Sequence, residues 1–151
     1  KCASGTGTFI TEIAERAGID IKEMSRLASQ SEYKQELNSF CTVFAKTEIM
    51  KWIFDGVSID NLAKGIYLSI GNRIAKMRID SGIPIVMIGG VIAHHPFLKT
   101  LLEEKIKQKV IVLDEPQHVV SFGAALIARE YFFQHKNEIE KQNASYERVS
   151  S

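Results

Sequence analysis

Residues 83–114 read IPIVMIGGVIAHHPFLKTLLEEKIKQKVIVLD, and this stretch decides the fold. The run from Ile83 to Gly90 is apolar and β-branched, which predicts a buried strand. Pro96 suits the first turn of a helix, and the run from Val110 to Asp114 predicts a second strand. A strand, a helix and a strand in this short stretch predict a right-handed βαβ unit with parallel strands.

Apolar residues recur at helical spacing in five further segments. Gly18 suits the C-terminal end of the first helix, and Asp20 with Glu23 resembles a capping box for the second. Ser58 is a favourable N-cap for the longest helix. The predicted helices cover residues 8–18, 20–28, 42–56, 58–80 and about 119–133. The polar segment from 29 to 39 is predicted to be a surface connection.

Two glycines lie inside the longest predicted helix. Gly65 and Gly71 each cost about 1 kcal/mol relative to alanine in a helix interior. Close approach by a neighbouring part of the protein or by a ligand would offset that cost. We therefore expect something to pack tightly against this helix at both positions.

The composition is that of an ordinary globular domain, with 151 residues, 45% hydrophobic and 25% charged. The net charge of +1 gives no reason to expect nucleic acid or an anionic membrane as a partner. The apolar runs are too short to span a bilayer, and no signal peptide is expected at the start. A two-stranded sheet has little stability alone. We therefore expect it either to be completed by further chain or to be covered by helices.

Two glycine-containing segments precede helices. Gly89-Gly90 directly follows a predicted strand, the position where open α/β sheets bind ligands. A simple tight turn accounts for a bare glycine pair equally well. Gly5-Thr6-Gly7 offers backbone N–H groups at a helix N-terminus, which suits anions. The sequence contains no Walker motif.

The two cysteines, Cys2 and Cys41, each precede a predicted helix. A helix N-terminus favours the thiolate form, which ligates metals. Two thiolates cannot complete a four-ligand site, although a symmetric dimer supplies four. The alternative is a pair of inert buried cysteines in a reducing cytoplasm. His94 and His95 are adjacent and point in different directions, so we expect them to form the turn into a helix rather than a metal site.

Four segments together resemble a known family: KCASGTGTFI (1–10), FCTVFAKTE (40–48), MIGGVIAHHPFLKTLLEE (87–104) and EPQHVVSFGAALIA (115–128). They are similar to the ATP-dependent activators of 2-hydroxyacyl-CoA dehydratases and to the ATPase subunits of benzoyl-CoA reductases. These proteins belong to the actin/Hsp70/sugar-kinase superfamily. The resemblance spans roughly residues 1–130 in the same order.

The resemblance implies a helix-rich α/β fold, the C-terminal subdomain of an actin-like (ribonuclease H-like) ATPase with a short parallel βαβ unit. Residues 1–133 would form that subdomain, and the polar residues 134–151 would form a frayed tail.

The resemblance also implies cofactors and partners. A homodimer would share one [4Fe–4S] cluster, held by Cys2 and Cys41 of each subunit. Loops around ATP or ADP with Mg²⁺ would contain Gly5, Thr6, Gly7, Gly89, Gly90 and Val91. The cytoplasmic protein would take an electron from a ferredoxin or flavodoxin. It would pass the electron, at low potential, to a 2-hydroxyacyl-CoA dehydratase or an acyl-CoA reductase component.

The sequence departs from this family in two respects. It lacks the acidic, glycine-containing phosphate loops that hold Mg²⁺, so we expect no ATP hydrolysis by the chain alone. Lys46-Thr47 also stands where a Glu-Ser pair is expected. Two alternatives remain at this point. One is a sugar kinase-like protein of the same superfamily, which would not need the cysteines. The other is a non-catalytic helical interaction domain with buried cysteines.

Overall fold

The computed structural model describes residues 5–38, 42–77 and 82–149. In chain order, the elements in these residues are α1 (Thr6–Ala17), α2 (Met24–Gln30), α3 (Thr42–Phe54), α4 (Ile59–Ala75), β1 (Ile85–Met87), α5 (Gly90–His94), α6 (Phe97–Ile106), β2 (Val110–Val112) and α7 (Val119–Val149).

The βαβ prediction is confirmed. Strands β1 and β2 are parallel neighbours, with Val86 opposite Ile111. Two helices connect them instead of one, because α5 begins at Gly90 and ends before α6. The break falls at His95, whose backbone has φ −128° and ψ 64°. Pro96 disfavours helical dihedrals in the residue before it, which explains the break. His95 therefore lies at the turn into α6, as predicted, whereas His94 is the last residue of α5.

The prediction that the first strand is buried is wrong for one face of the sheet, and the second strand is exposed on the same face. Met87 and Val112 pack against the hydrophobic core, whereas Val86 and Ile111 are 46% and 47% exposed. Side chains alternate between the two faces of a sheet. In the described residues, this two-stranded sheet is covered on one face only.

The ends of the helices follow the glycine signals. Helix α1 ends at Gly18, which adopts the left-handed conformation at φ 68° and donates its N–H to the Ala14 and Glu15 carbonyls. Helix α4 begins after Ser58, as predicted, but ends at Ala75 and not near residue 80. The last part of the predicted helix, residues 78–81, lies outside the described residues.

The capping box predicted for the second helix is wrong. The Lys22 backbone N–H donates to the Asp20 carboxylate at 2.9 Å, so Asp20 stabilises a turn. Helix α2 begins only at Met24, and the Glu23 side chain makes no capping hydrogen bond. Glu23 instead pairs with Arg26 at 2.6 Å.

The connection after α2 is also less exposed than predicted. Ser31 and Leu37 are both buried. The Ser31 hydroxyl donates to Asn61 Oδ1 on α4 at 2.6 Å, so this segment packs against the central helix.

Helix α4 is the centre of the core. Helices α1, α2 and α6 pack against it. The prediction of close approach at its two glycines is confirmed. A Cβ added at Gly65 would meet the Trp52 ring of α3, and one added at Gly71 would meet Leu101 of α6. The absence of a Cβ therefore lets two neighbouring helices approach α4.

The chain divides into two compact units, one up to Gln117 and one from His118 onward. Helix α7 lies in the second unit and continues to Val149, with non-helical dihedrals at His135. The division predicted after residue 133 remains a prediction. No helix in the described ranges has the length and apolar character needed to cross a membrane.

Candidate functional site

A cavity of about 780 Å³ lies where α1 and α5 meet. Its lining includes Gly7, Gly90 and Val91. These are three of the six residues that sequence analysis assigned to a nucleotide site. The two predicted segments, far apart in the sequence, therefore contribute to one concave surface.

The glycines at this cavity have different structural roles. A Cβ on Gly7 would lie 3.6 Å from Val91 Cγ2, so α1 and α5 are in contact there. A Cβ on Gly90 would have no heavy atom within 4 Å. Gly89, just before α5, has φ +103°, which L side chains rarely adopt. Its N–H donates to the Pro116 carbonyl at 2.7 Å and so ties the loop after β1 to the segment after β2.

The remaining predicted nucleotide residues lie outside the lining. Gly5 occupies the N-cap position of α1 and Thr6 is its first helical residue. The first turn of α1 therefore enters the cavity through Gly7 and Thr8. Backbone N–H groups in the first turn of a helix lack intrahelical partners and attract anions.

The charge of the lining also favours an anion. Lys22 belongs to the lining, whereas no carboxylate among the described residues does. Apolar side chains of Ile21 and Val91 complete the wall. The site thus combines a lysine, helix N–H donors and an apolar surface.

Three side chains joined by hydrogen bonds, Ser25, Tyr67 and His95, end at the cavity. His95 lines the cavity but is only 5% exposed. Its Nδ1 lies 2.7 Å from the Tyr67 hydroxyl, which lies 3.1 Å from Ser25 Oγ. Burial raises the pKa of Tyr67 to about 12, against a smaller opposing effect of the Ser25 hydrogen bond. Burial, and then the nearby His94, lower the pKa of His95.

Sequence reasoning missed several of these residues. Thr11 and Lys22 line the cavity without belonging to any recognisable motif, and Thr8 lies in the family-like segment 1–10 but was not assigned to the site. Tyr67 carried one usable signal, since a hydroxyl within the apolar stripe of a buried helix requires a polar partner.

The predicted metal ligands, Cys2 and Cys41, lie outside the described residues. The helices that follow them in the sequence, α1 and α3, pack against each other. Lys46 of α3 contacts the Glu12 carboxylate of α1, with Nζ and Oε2 3.0 Å apart. The lysine that departs from the family pattern therefore makes an ion pair between these helices. Within the described ranges, no three or more His, Cys, Asp or Glu residues are grouped as a metal site.

Comparison with known proteins identifies the family. Residues 1–128 match the BadF/BadG/BcrA/BcrD ATPase family. The chain belongs to this family.

Individual relatives agree with this assignment. The chain is 36% identical over 132 residues to the activator of lactoyl-CoA dehydratase of Anaerotignum propionicum, covering 86% of this chain and 51% of that protein. It is 34% identical over 134 residues to one of the subunits of benzoyl-CoA reductase from Thauera aromatica, covering 83% and 47%. The chain thus spans about half the length of these relatives.

A solved structure confirms the predicted fold class. The activator of the 2-hydroxyisocaproyl-CoA dehydratase from Clostridium difficile, with bound ADPNP, superposes with a TM-score of 0.76 at 29% identity. The match covers 91% of this chain and 52% of that one. The helix-rich α/β arrangement with its short parallel sheet is therefore that of an actin-like ATPase activator.

Proposed function

We propose that this chain is part of an ATP-driven, iron–sulfur electron-transfer activator. The activator delivers a low-potential electron to a 2-hydroxyacyl-CoA dehydratase or a related acyl-CoA reductase. The observation that carries the proposal is the cavity in which Gly7 of α1 meets Gly90 and Val91 of α5. Both predicted nucleotide segments contribute to it, and a related activator of the same fold has ADPNP bound.

The nucleotide is ATP or ADP with Mg²⁺. The first turn of α1 and Lys22 suit its phosphates, whereas Ile21 and Val91 suit its uncharged part. The chain lacks the acidic phosphate loops, so hydrolysis requires residues beyond these 151. Gly5, Thr6 and Gly89 support this site from its edge, as the residues that begin α1 and precede α5.

The chemistry of the two cysteines fits a [4Fe–4S] cluster. Thiolates are the ligands of such clusters, and four are needed. Each chain has two, Cys2 and Cys41, so a homodimer holds one cluster between its subunits. When bound, the cluster supplies the redox centre that accepts and releases one electron. The contact between α1 and α3 supports this assignment, because each cysteine precedes one of these helices in the sequence.

Helix α1 provides a route by which the nucleotide site could affect the cluster. It follows Cys2 in the sequence, lines the cavity through Gly7 and Thr11, and is ion-paired to α3 through Glu12. A change at the cavity that displaces α1 would therefore act on both cysteine-bearing segments. This arrangement favours an activator over a sugar kinase, which has no use for a coupled cysteine pair.

The partners follow from the same proposal. The electron comes from a ferredoxin or flavodoxin in the cytoplasm and passes to the dehydratase or reductase component. Neither nucleic acid nor a membrane is involved.

The test uses the complete gene product, purified without oxygen. We expect about four irons per dimer by iron analysis, ADP binding by calorimetry, and ATP-dependent activation of a 2-hydroxyacyl-CoA dehydratase component. Nucleotide binding without iron would favour the sugar kinase-like alternative. Absence of both iron and nucleotide would favour a non-catalytic interaction domain and overturn the proposal.

A further inference from the structure

His95 combines three properties that mark it as a ligand-binding side chain. It is buried, it lines the cavity, and only one of its ring nitrogens is paired. Nδ1 contacts the Tyr67 hydroxyl, whereas Nε2 has no hydrogen-bond partner among the described residues. In the described part of the chain, every fully enclosed side-chain nitrogen or oxygen has a hydrogen-bond partner. An unpaired Nε2 is therefore not fully enclosed, and the residue that carries it lines the cavity.

The orientation of the imidazole is fixed from two directions. Its backbone N–H donates to the Val91 carbonyl at 2.9 Å, and its carbonyl accepts from the Leu98 N–H at 3.1 Å. The ring lies edge-on to Tyr67, with centroids 5.8 Å apart, and Tyr67 in turn lies edge-on to Phe97. The ring cannot turn away from the cavity without disrupting these contacts.

Hydrogen bonding behind the ring also determines which nitrogen carries the proton. The Tyr67 hydroxyl can donate one hydrogen bond and accept another, and it has two neighbours, Ser25 and His95. If Ser25 donates to Tyr67 and Tyr67 donates to Nδ1, the proton of the neutral imidazole resides on Nε2. The opposite direction would make Nε2 an acceptor. The proposed ligand is rich in acceptor atoms, which favours the first arrangement.

We propose that His95 Nε2–H donates a hydrogen bond to an acceptor on the nucleoside part of the bound nucleotide, with Tyr67 and Ser25 holding the imidazole in that tautomer. The apolar neighbours Val91 and Ala93 place this donor beside the part of the cavity that suits a base or ribose. His95 is a binding residue, and Tyr67 is a positioning residue that acts through it. This inference rests on the nucleotide site of the proposed function.

The test is nuclear magnetic resonance of the unmodified chain with ¹⁵N-labelled histidine. We expect His95 in the Nε2–H form without ligand, and a shift of the Nε2 resonance when ADP or adenosine is added. Pyrophosphate should shift the amide resonances of Gly7 and Thr8 but leave Nε2 unchanged. A proton on Nδ1 of His95 would overturn this inference but not the proposed function. So would an Nε2 resonance that stays unchanged when ADP shifts the resonances of Gly7 and Gly90. No response to ADP at any cavity residue would overturn the proposed function with it.

Two variants give a second readout. Tyr67→Phe removes the hydroxyl and should abolish the tautomer preference while raising the Kd for ADP several-fold, consistent with loss of one hydrogen bond. His95→Leu should raise it by a similar factor. Tyr33→Phe is the matched control, because the Tyr33 hydroxyl contacts Gln35 at 2.6 Å and lies outside the cavity lining. Equal ADP affinity and an unchanged tautomer in folded Tyr67→Phe would contradict the positioning role.

Discussion

Gly65 of α4 lies against the indole ring of Trp52 on α3, and a Cβ at residue 65 would stand only 2.5 Å from Cζ3 of that ring. The Gln35 carbonyl oxygen would lie 3.1 Å from that added Cβ. Trp52 is itself buried. The contact joins the helix that follows Cys41 to the central helix of the core.

We therefore predict that Gly65→Ala lowers the free energy of unfolding despite a helix-propensity gain of about 1 kcal/mol. Overlap with a large buried ring costs about 1–3 kcal/mol, because the ring cannot move without disturbing the core. Urea denaturation of the chain followed by circular dichroism measures the change.

Two other glycines serve as controls for this prediction. In Gly71→Ala the new Cβ would lie 2.9 Å from the end of the Leu101 side chain, which can rotate. The free energy of unfolding should therefore fall less than in Gly65→Ala. Gly123→Ala in α7 meets no atom within 4 Å and should be neutral or stabilising. A Gly65→Ala chain as stable as Gly123→Ala would show that α3 and α4 are not packed this closely.

In the complete protein, Gly90→Val should block nucleotide binding while leaving the fold intact. A Cβ at residue 90 meets no protein atom within 4 Å, so the added side chain would occupy cavity space without displacing protein. We expect the Kd for ADP, measured by calorimetry, to rise at least tenfold. Gly123→Val controls for the effect of valine in a helix. Unchanged affinity in a folded Gly90→Val chain would place the nucleotide elsewhere.

Replacing either cysteine by serine should remove the cluster from the anaerobically purified complete protein. Each substitution deletes two of four thiolate ligands in the dimer. Iron analysis and the visible absorption spectrum measure the loss, and retained ADP binding verifies that Cys2→Ser and Cys41→Ser variants are folded. Stoichiometric iron in Cys41→Ser would contradict the assignment of that ligand.

The dimer should depend on iron more than on nucleotide, because the cluster is bonded to both subunits. Analytical ultracentrifugation under anaerobic conditions, with and without a chelator, tests this expectation. Removing iron should shift the complete protein towards monomer, and removing ADP alone should not. A monomer that still binds a full cluster would contradict a shared site.

The stability of the chain should fall in mild acid partly because of His95. Its pKa lies below the usual 6.5, chiefly through burial and then through His94. The unfolded chain therefore binds a proton that the folded chain does not, so the free energy of unfolding decreases as the pH falls below about 6.5. Lys22 lines the same cavity, and the Tyr67 hydroxyl beside Nδ1 is neutral in this pH range.

His95→Gln should flatten this pH dependence by up to about 1.4 kcal/mol per pH unit below pH 6.5. Urea denaturation at a series of pH values measures the slope. The unsubstituted chain, measured in parallel at each pH, gives the reference slope. An identical slope in His95→Gln would show that His95 does not take up the proton on unfolding.

Much of the fold was determined by short stretches of sequence. The βαβ unit, the end of α1 at Gly18 and the start of α4 after Ser58 all depend on neighbouring residues in the chain. The glycines of α4 also indicated correctly that something approaches the helix, because a glycine in a helix interior needs a compensating contact. The paired motifs around Cys2 and Cys41, together with the segment around Gly89, indicated the family.

Tertiary structure decided what those elements meet. Periodicity could not show that, in the described part of the chain, one face of the sheet is left uncovered, since exposure depends on which layers pack against it. It could not identify Ser31 and Leu37 as buried, because their partners belong to other helices. Sequence assigned His95 only to a turn, whereas packing of α6 against α4 buries it beside Tyr67 at the edge of the cavity. A binding site of this kind is formed by residues distant in the chain, so its geometry exists only once the core has assembled.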